Sequence, residues 1–198
     1  MQYVILFLLF LSSHSTLATD SIIYQNQDII FPGALSQVYI DYDDTATINY
    51  VSSTAIFKQH RQNIFQHQNP AAAYWIKFRV YNPTKDALIL TKDLAQTTGI
   101  DLFRQISADS FEHLFIGNKI PFYQRKYKHT AYLFDLNLKY KEGATFYAKI
   151  KGDEMMNIYL QIANKESTYR YLITKELLLG LFTGIMLIVF FYNLFIWG

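Results

Sequence analysis

YWIKFRVYN, residues 74–82, is the stretch on which the fold turns. Tyr74, Ile76, Phe78 and Val80 recur at every second position and project to one side of an extended chain. Trp75, Lys77, Arg79 and Tyr81 take the other side. A helix would scatter such a set around its surface, whereas a strand with one face on a core needs it. The polar Asn82-Pro83-Thr84-Lys85-Asp86 then turns the chain, and Ala87–Leu94 returns as an apolar strand.

The same alternation recurs on both sides of this hairpin. Gln37–Tyr42, Ile100–Ile106, Tyr132–Leu138, Thr145–Lys151 and Met156–Ala163 read as strands, with a shorter one at His113–Ile116. Glu142-Gly143 reads as the turn before Thr145. Asp28–Phe31 offers a first strand before the Pro32-Gly33 turn. Thr45–Gln68 has few breakers and reads as a peripheral turn or short helix. Gly117–Lys128 is a long loop. Short strands separated by turn residues at intervals of about ten residues predict an all-β sandwich over residues 21–170.

Two apolar segments flank that domain. Leu177–Trp197, LLLGLFTGIMLIVFFYNLFIW, runs 21 residues without a charge. As a helix it matches the ~30 Å hydrocarbon core of a bilayer. The connector Lys165–Glu176 reads as helical from about Tyr169. At the other end Tyr3–Leu11 is too short to span, and Thr16-Leu17-Ala18 offers a small-x-small cleavage site. Residues 1–18 therefore read as a signal peptide, although no Lys or Arg precedes the apolar run. The alternative is an uncleaved N-terminus packed into the domain. With an export signal and one C-terminal span, the domain faces outward and Gly198 lies on the cytoplasmic side.

Composition narrows the function classes. A net charge of +2 over 198 residues, with no long Lys/Arg run, argues against nucleic acid. The absence of cysteine removes disulfides and thiolate chemistry. No GxSxG, P-loop, GxGxxG or HExxH pattern occurs, so neither a catalytic residue nor a cofactor is expected. Glu112-His113 and Glu142 have no partner at a defined spacing. Asp41-x-Asp43-Asp44 clusters carboxylates, but an EF-hand beginning there would need Gly and Glu where Ala46 and Ser52 stand. A solvated turn, with no metal, is the expectation. Gly180 and Gly184 form a GxxxG spacing that lets another helix backbone approach closely. The partner is the same chain, a second chain or lost helices. Asn193 either bonds to a neighbouring helix or is wetted at the interface.

Tyr74-Trp75-Ile76-Lys77-Phe78 with Asn82-Pro83, Ile100-Asp101-Leu102-Phe103, the strand pair within 145–162, Leu178–Gly184 and Tyr192-Asn193-Leu194-Phe195 occur in a familiar order. Over roughly Ser36–Gly198 the chain resembles extracellular domain 2 of bacterial seven-transmembrane receptors with diverse intracellular signalling modules. The resemblance implies a periplasmic jelly-roll-like β-sandwich, similar to carbohydrate-binding modules, that feeds a bundle of membrane helices. In such receptors an output domain follows, often a diguanylate cyclase, histidine kinase or phosphatase. Here the sequence stops after the first span, so the expectation is a fragment of a longer receptor or a piece that needs a partner.

The functional expectation is a non-enzymatic, inner-membrane-anchored periplasmic input module that binds a small carbohydrate-like ligand. The alternative is an anchored envelope interaction or assembly protein. Sugar rings stack on aromatic faces, and Arg donates to hydroxyls or a carboxylate. The candidate ligand residues are therefore Tyr123, Arg125 and Tyr127 on the long loop, and Trp75, Arg79 and Tyr81 on one strand face. Gly180, Gly184 and Asn193 are the candidate helix-packing residues.

Overall fold

The computed structural model describes residues 21–197 apart from 27, 28 and 94–96. The expected signal peptide lies outside the described residues, as do Asp28, Leu94 and Gly198. In chain order the elements are β1 (Ile22–Ile23), β2 (Gln37–Asp41), α1 (Ile48–Ser53), β3 (Lys58–Gln59), β4 (Ile64–His67), β5 (Ala73–Asn82) and β6 (Leu88–Lys92). They continue with β7 (Gly99–Gln105), β8 (Phe111–Gly117), β9 (Tyr132–Asp135), β10 (Glu142–Lys151), β11 (Met156–Asn164) and α2 (Lys165–Trp197).

One sheet runs β3-β2-β5-β10-β7-β8, with β1 joining β5, and the other runs β4-β11-β6-β9. All pairings are antiparallel except β1 with β5. From β4 to β11, every connection except the β7–β8 hairpin crosses from one sheet to the other. The result is the sandwich expected from the alternation, jelly-roll-like as the resemblance implies. Its core takes Ile76, Phe78 and Val80 from β5, and Phe146, Ala148 and Ile150 from β10. Facing them are Leu88 and Leu90 from β6, Tyr132 and Phe134 from β9, and Ile158, Leu160 and Ile162 from β11. Phe78 and Phe146 are register partners and stack at 5.6 Å.

Several details differ from the sequence reading. The opening strand is Ile22–Ile23, while at the expected Asp28–Phe31 strand the described residues show only a bridge from Ile30 to Ile162. β4 lies inside the segment read as a turn or helix, which also holds α1. Its alternation is hidden because the buried His67 takes a position normally apolar; its Nε2 pairs with the Ala72 carbonyl, and its ring packs on Tyr74. The strand at Tyr132 ends at Asp135, because Asn137 adopts φ 50°, a left-handed conformation that Asn tolerates. The turn before β10 falls at Tyr140-Lys141, with Lys141 at φ 59°, while Glu142 and Gly143 already belong to the strand. Finally, α2 begins at Lys165, straight off β11, where the Asn164 carboxamide oxygen accepts the Ser167 N–H at 2.8 Å as an N-cap.

α2 is 33 residues long, ~50 Å, and is the described helix long and apolar enough to cross a membrane. Nothing in its apolar window is buried against protein. A column of exposed Leu, Ile and Phe this long belongs in lipid, not water.

Core stacking and bare span respond differently to truncation. Phe146→Ala should cost about 3–5 kcal/mol of folding stability through lost transfer energy and a cavity. Phe182→Ala should change it by less than about 0.5 kcal/mol. Urea titration of the detergent-solubilised chain, followed through Trp75 fluorescence in a Trp197→Phe background, reads both.

Candidate functional site

The two sheets part where β8 and β9 form their edges. The gap is a cleft of about 220 Å³. Leu114, Phe115 and Ile116 of β8 form one wall, and Leu133, Phe134 and Asp135 of β9 the other. Ile120, Gln124, Arg125, Lys126, Tyr127 and Ala131 of the connecting loop close it.

Local chemistry holds that loop in shape. Gly117 ends β8 opposite Gly99, and a Cβ at either would lie 2.5–2.7 Å from the Phe115 ring laid over them. Pro121 opens a 3₁₀ turn at Phe122–Gln124. Arg125 then folds back: Nη2 donates to the Gly117 carbonyl at 3.1 Å and Nε to the Ile120 carbonyl at 3.4 Å. Its guanidinium lies 5.2 Å from the Tyr132 ring centroid. The Tyr127 hydroxyl donates to Asp135 Oδ1 at 2.6 Å, and Lys126 Nζ bonds the second oxygen. Burial opposes ionisation of Asp135, but these two donors outweigh it and hold the carboxyl below its usual range. Burial, then the Asp135 carboxylate, pushes the Tyr127 hydroxyl well above its ordinary value, so it stays a donor.

Outward-facing residues of β6 and β9 and the end of the connecting loop seat the membrane helix. Leu172 is 3 % exposed and packs with Ile89, Ala131 and Leu133, flanked by Tyr127 and Tyr171. Polar contacts lock the next turn. Lys175 Nζ bonds both Asp93 oxygens at 2.5 and 2.6 Å, and the Tyr171 hydroxyl donates to Asp93 at 3.1 Å. His129 Nδ1 accepts the Ala131 N–H, and its Nε2 lies 2.8 Å from Glu176 Oε1. Tyr127, Ala131 and Leu133 therefore belong to both the cleft lining and the helix-docking cluster.

The structure brings Arg125 and Tyr127 together at the cleft and sets Tyr123 outside it, 72 % exposed. Trp75, Arg79 and Tyr81 lie elsewhere, on the outer face of β5, three strands from β8 and so about 14 Å across the sheet. Trp75 is 1 % exposed: it packs with Val51 of α1 and Tyr147, stacks on Phe103 at 5.7 Å and has Lys149 over its ring. No ligand ring reaches it without displacing that cluster. Gly180 and Gly184 are bare, a Cβ at either meeting nothing within 4 Å, and the Asn193 amide donates to the Val189 carbonyl at 2.8 Å.

Sequence reasoning missed Lys126, Asp135, His129 and Asp93. Their signal was faint, since each is an ordinary polar residue whose partner lies in another element. The scattered carboxylates find cations and a histidine: Glu142 and Glu112 pair with Arg104 at 2.5 and 3.6 Å, and Asp101 with His113 at 2.7 Å. Asp41 accepts the Thr45 and Ala46 backbone N–H groups, and Asp44 takes Lys149 and Lys151. These carboxylates are engaged in a turn and in ion pairs.

A depressed aspartate pKa stabilises the fold above the unfolded value of about 3.9, and that contribution is lost as pH falls through the folded value. Asp135→Asn should therefore be less stable than the parent at pH 7. The gap should begin to narrow only below about pH 4 and close as pH falls through the folded value. Denaturation midpoints across a pH series check this.

No curated protein matches the chain. The family model described as 7TMR-DISM extracellular 2 matches residues 33–164, from Gly33, which opens a 3₁₀ turn at Gly33–Leu35, to the last residue of β11. That span covers both sheets except β1 and stops where the helix begins. An outward-facing receptor-type sandwich joined directly to a membrane-span helix is what fold and match agree on, and this chain belongs to the 7TMR-DISM extracellular 2 family.

Proposed function

We propose that this chain is the periplasmic input module of a bacterial inner-membrane receptor, exported by residues 1–18, and that it binds a ligand rather than catalysing a reaction. A small ligand enters the β8–β9 cleft and its binding is passed to α2. One observation carries the reading: Tyr127, Ala131 and Leu133 line the cleft and also pack against Leu172. A molecule that shifts β9 or the loop must shift the seat of the helix.

Cleft size and lining bear on the ligand. At about 220 Å³ it lies below the ~300–1,000 Å³ of pockets for drug-sized molecules, which favours about one ring. Leu114, Ile116 and Leu133 offer an apolar floor to the C–H face of a sugar, while Gln124, Lys126 and Asp135 offer partners to hydroxyls. A carbohydrate-like ligand contacts Arg125 and Tyr127 in this reading. Trp75, Arg79 and Tyr81 then serve the sheet, and Tyr123 stays outside the cleft.

The test uses the full chain in detergent against a panel of monosaccharides and uronic acids. At least one should raise the melting temperature by several degrees at 100 times its Kd, corresponding to about 2.7 kcal/mol. Tyr127→Ala should abolish the shift. Flat melting curves across the panel would remove the sugar reading. Relay is tested separately with the pair Ile89→Cys and Leu172→Cys, clean because the chain has no cysteine. A crosslinking rate unchanged by the stabilising sugar would sink the relay while leaving binding intact.

The bare Gly180–Gly184 face favours a second reading, in which α2 packs on a partner helix and the chain serves assembly. Asn193 would then exchange its Val189 bond for one across the helices. Crosslinking in membranes distinguishes it. A discrete complex lost on Gly180→Leu supports packing through this face, and one that survives removes it.

A further inference from the structure

The loop at 118–130 has a composition that neither the sandwich nor the cleft requires. Lys119, Arg125, Lys126 and Lys128 fall within ten residues, and no acidic residue occurs between Glu112 and Asp135. Phe122 and Tyr123 are 52 % and 72 % exposed on its 3₁₀ turn, and Lys119, Lys126 and Lys128 are exposed beside them.

Strand directions place this loop. β8 ends at Gly117, paired with Gly99 at the start of β7, and β9 begins at Tyr132, paired with Lys92 at the end of β6. Both ends of the loop therefore leave the sandwich at the end that carries Asp93. Asp93 is bonded to Lys175 of α2, and His129 Nε2 lies 2.8 Å from Glu176. The next residue, Leu177, begins the uncharged stretch. Because α2 is continuous from Lys165 to Trp197, the height of the loop above that stretch is set by helix geometry.

We propose that the 118–130 loop is a second membrane contact, seated on the anionic phospholipid headgroups of the leaflet that α2 enters. Lys119 and Lys128 supply charge at the headgroup layer, and Phe122 and Tyr123 anchor at the interface, the depth aromatic side chains favour. Arg125 preforms the turn through its bonds to the Gly117 and Ile120 carbonyls. The lipid surface is the occupant because the loop's chemistry is cationic and aromatic and its position is continuous with the membrane span. The proposal is independent of what occupies the cleft.

The experiment uses the full chain reconstituted in vesicles of phosphatidylcholine alone, or with 30 mol % phosphatidylglycerol. Gln124→Cys carries an environment-sensitive fluorophore, and nitroxide-labelled lipid is the quencher. Tyr140→Cys, in the turn at the opposite end of the sandwich, is the reference. Strong quenching at 124 in anionic vesicles, little at 140, and a several-fold weaker effect in 0.5 M salt or in the Lys119→Gln/Lys128→Gln variant are the expected results. Equal quenching in neutral and anionic vesicles overturns headgroup recognition. No quenching at 124 in either shows the loop held clear of the bilayer and overturns the proposal outright. A shielding of 124 that appears only with an acidic polypeptide added assigns the surface to a protein instead.

Discussion

Leu172, buried between Ile89, Ala131 and Leu133, is the contact on which the rest of the architecture depends. It lies on a helix that begins in the domain and ends in the apolar span, with no break between the two. Above Leu172 the helix is capped directly by the last residue of β11. Below it the Asp93 and His129 contacts pin the final polar turn. Five residues separate Leu172 from Leu177, about 7.5 Å of helix. A helix bends little over that length, so a displacement of its seat is carried to the span instead of being absorbed by a linker.

The site follows from how the sandwich ends. Sheet edges carry unpaired backbone groups and must be covered. Here the β8 and β9 edges are covered by one loop, held by Arg125 on one side and the Tyr127–Asp135–Lys126 group on the other. Covering leaves a cleft, and the cleft shares its inner wall with the helix dock. The opposite edge, between β2, β3 and β4, holds a larger groove of about 480 Å³ lined by Tyr39, Lys58, His60 and Tyr74. No residue of α2 lines that groove, so its contents have no direct route to the span.

Legibility in the sequence tracked how purely each element obeyed one period. β5, β10 and β11 put apolar residues at the successive inward positions 76 to 80, 144 to 150 and 156 to 162, and their strands were readable to within a few residues. β4 was not, because His67 fills an inward site through a hydrogen bond and ring contact that only the neighbouring chain supplies. The burial of Trp75 was hidden for a related reason. Trp75 alternates outward correctly, yet outward is not exposed when α1 and Tyr147 pack over that face. Arg125 and Tyr127 were legible as cationic-aromatic chemistry, but Asp135, which orders Tyr127 and Lys126, was an ordinary strand carboxylate until the loop folded back on it.

What the residues by themselves determined was local in origin: period-two burial, the turn at Asn82-Pro83, and an uncharged stretch that only lipid accommodates. Each depends on a few neighbouring residues and on solvent, so no distant contact is needed to read it. Tertiary structure alone decided the sheet order, the meeting of β8 with β9, and the docking of α2 on the outer faces of β6 and β9. Those outcomes depend on pairs such as Tyr171 with Asp93, separated by 78 positions, whose energies exist only once the sandwich has brought them within hydrogen-bond reach. The apolar helix was legible as an anchor from composition; its seat against the cleft wall was not.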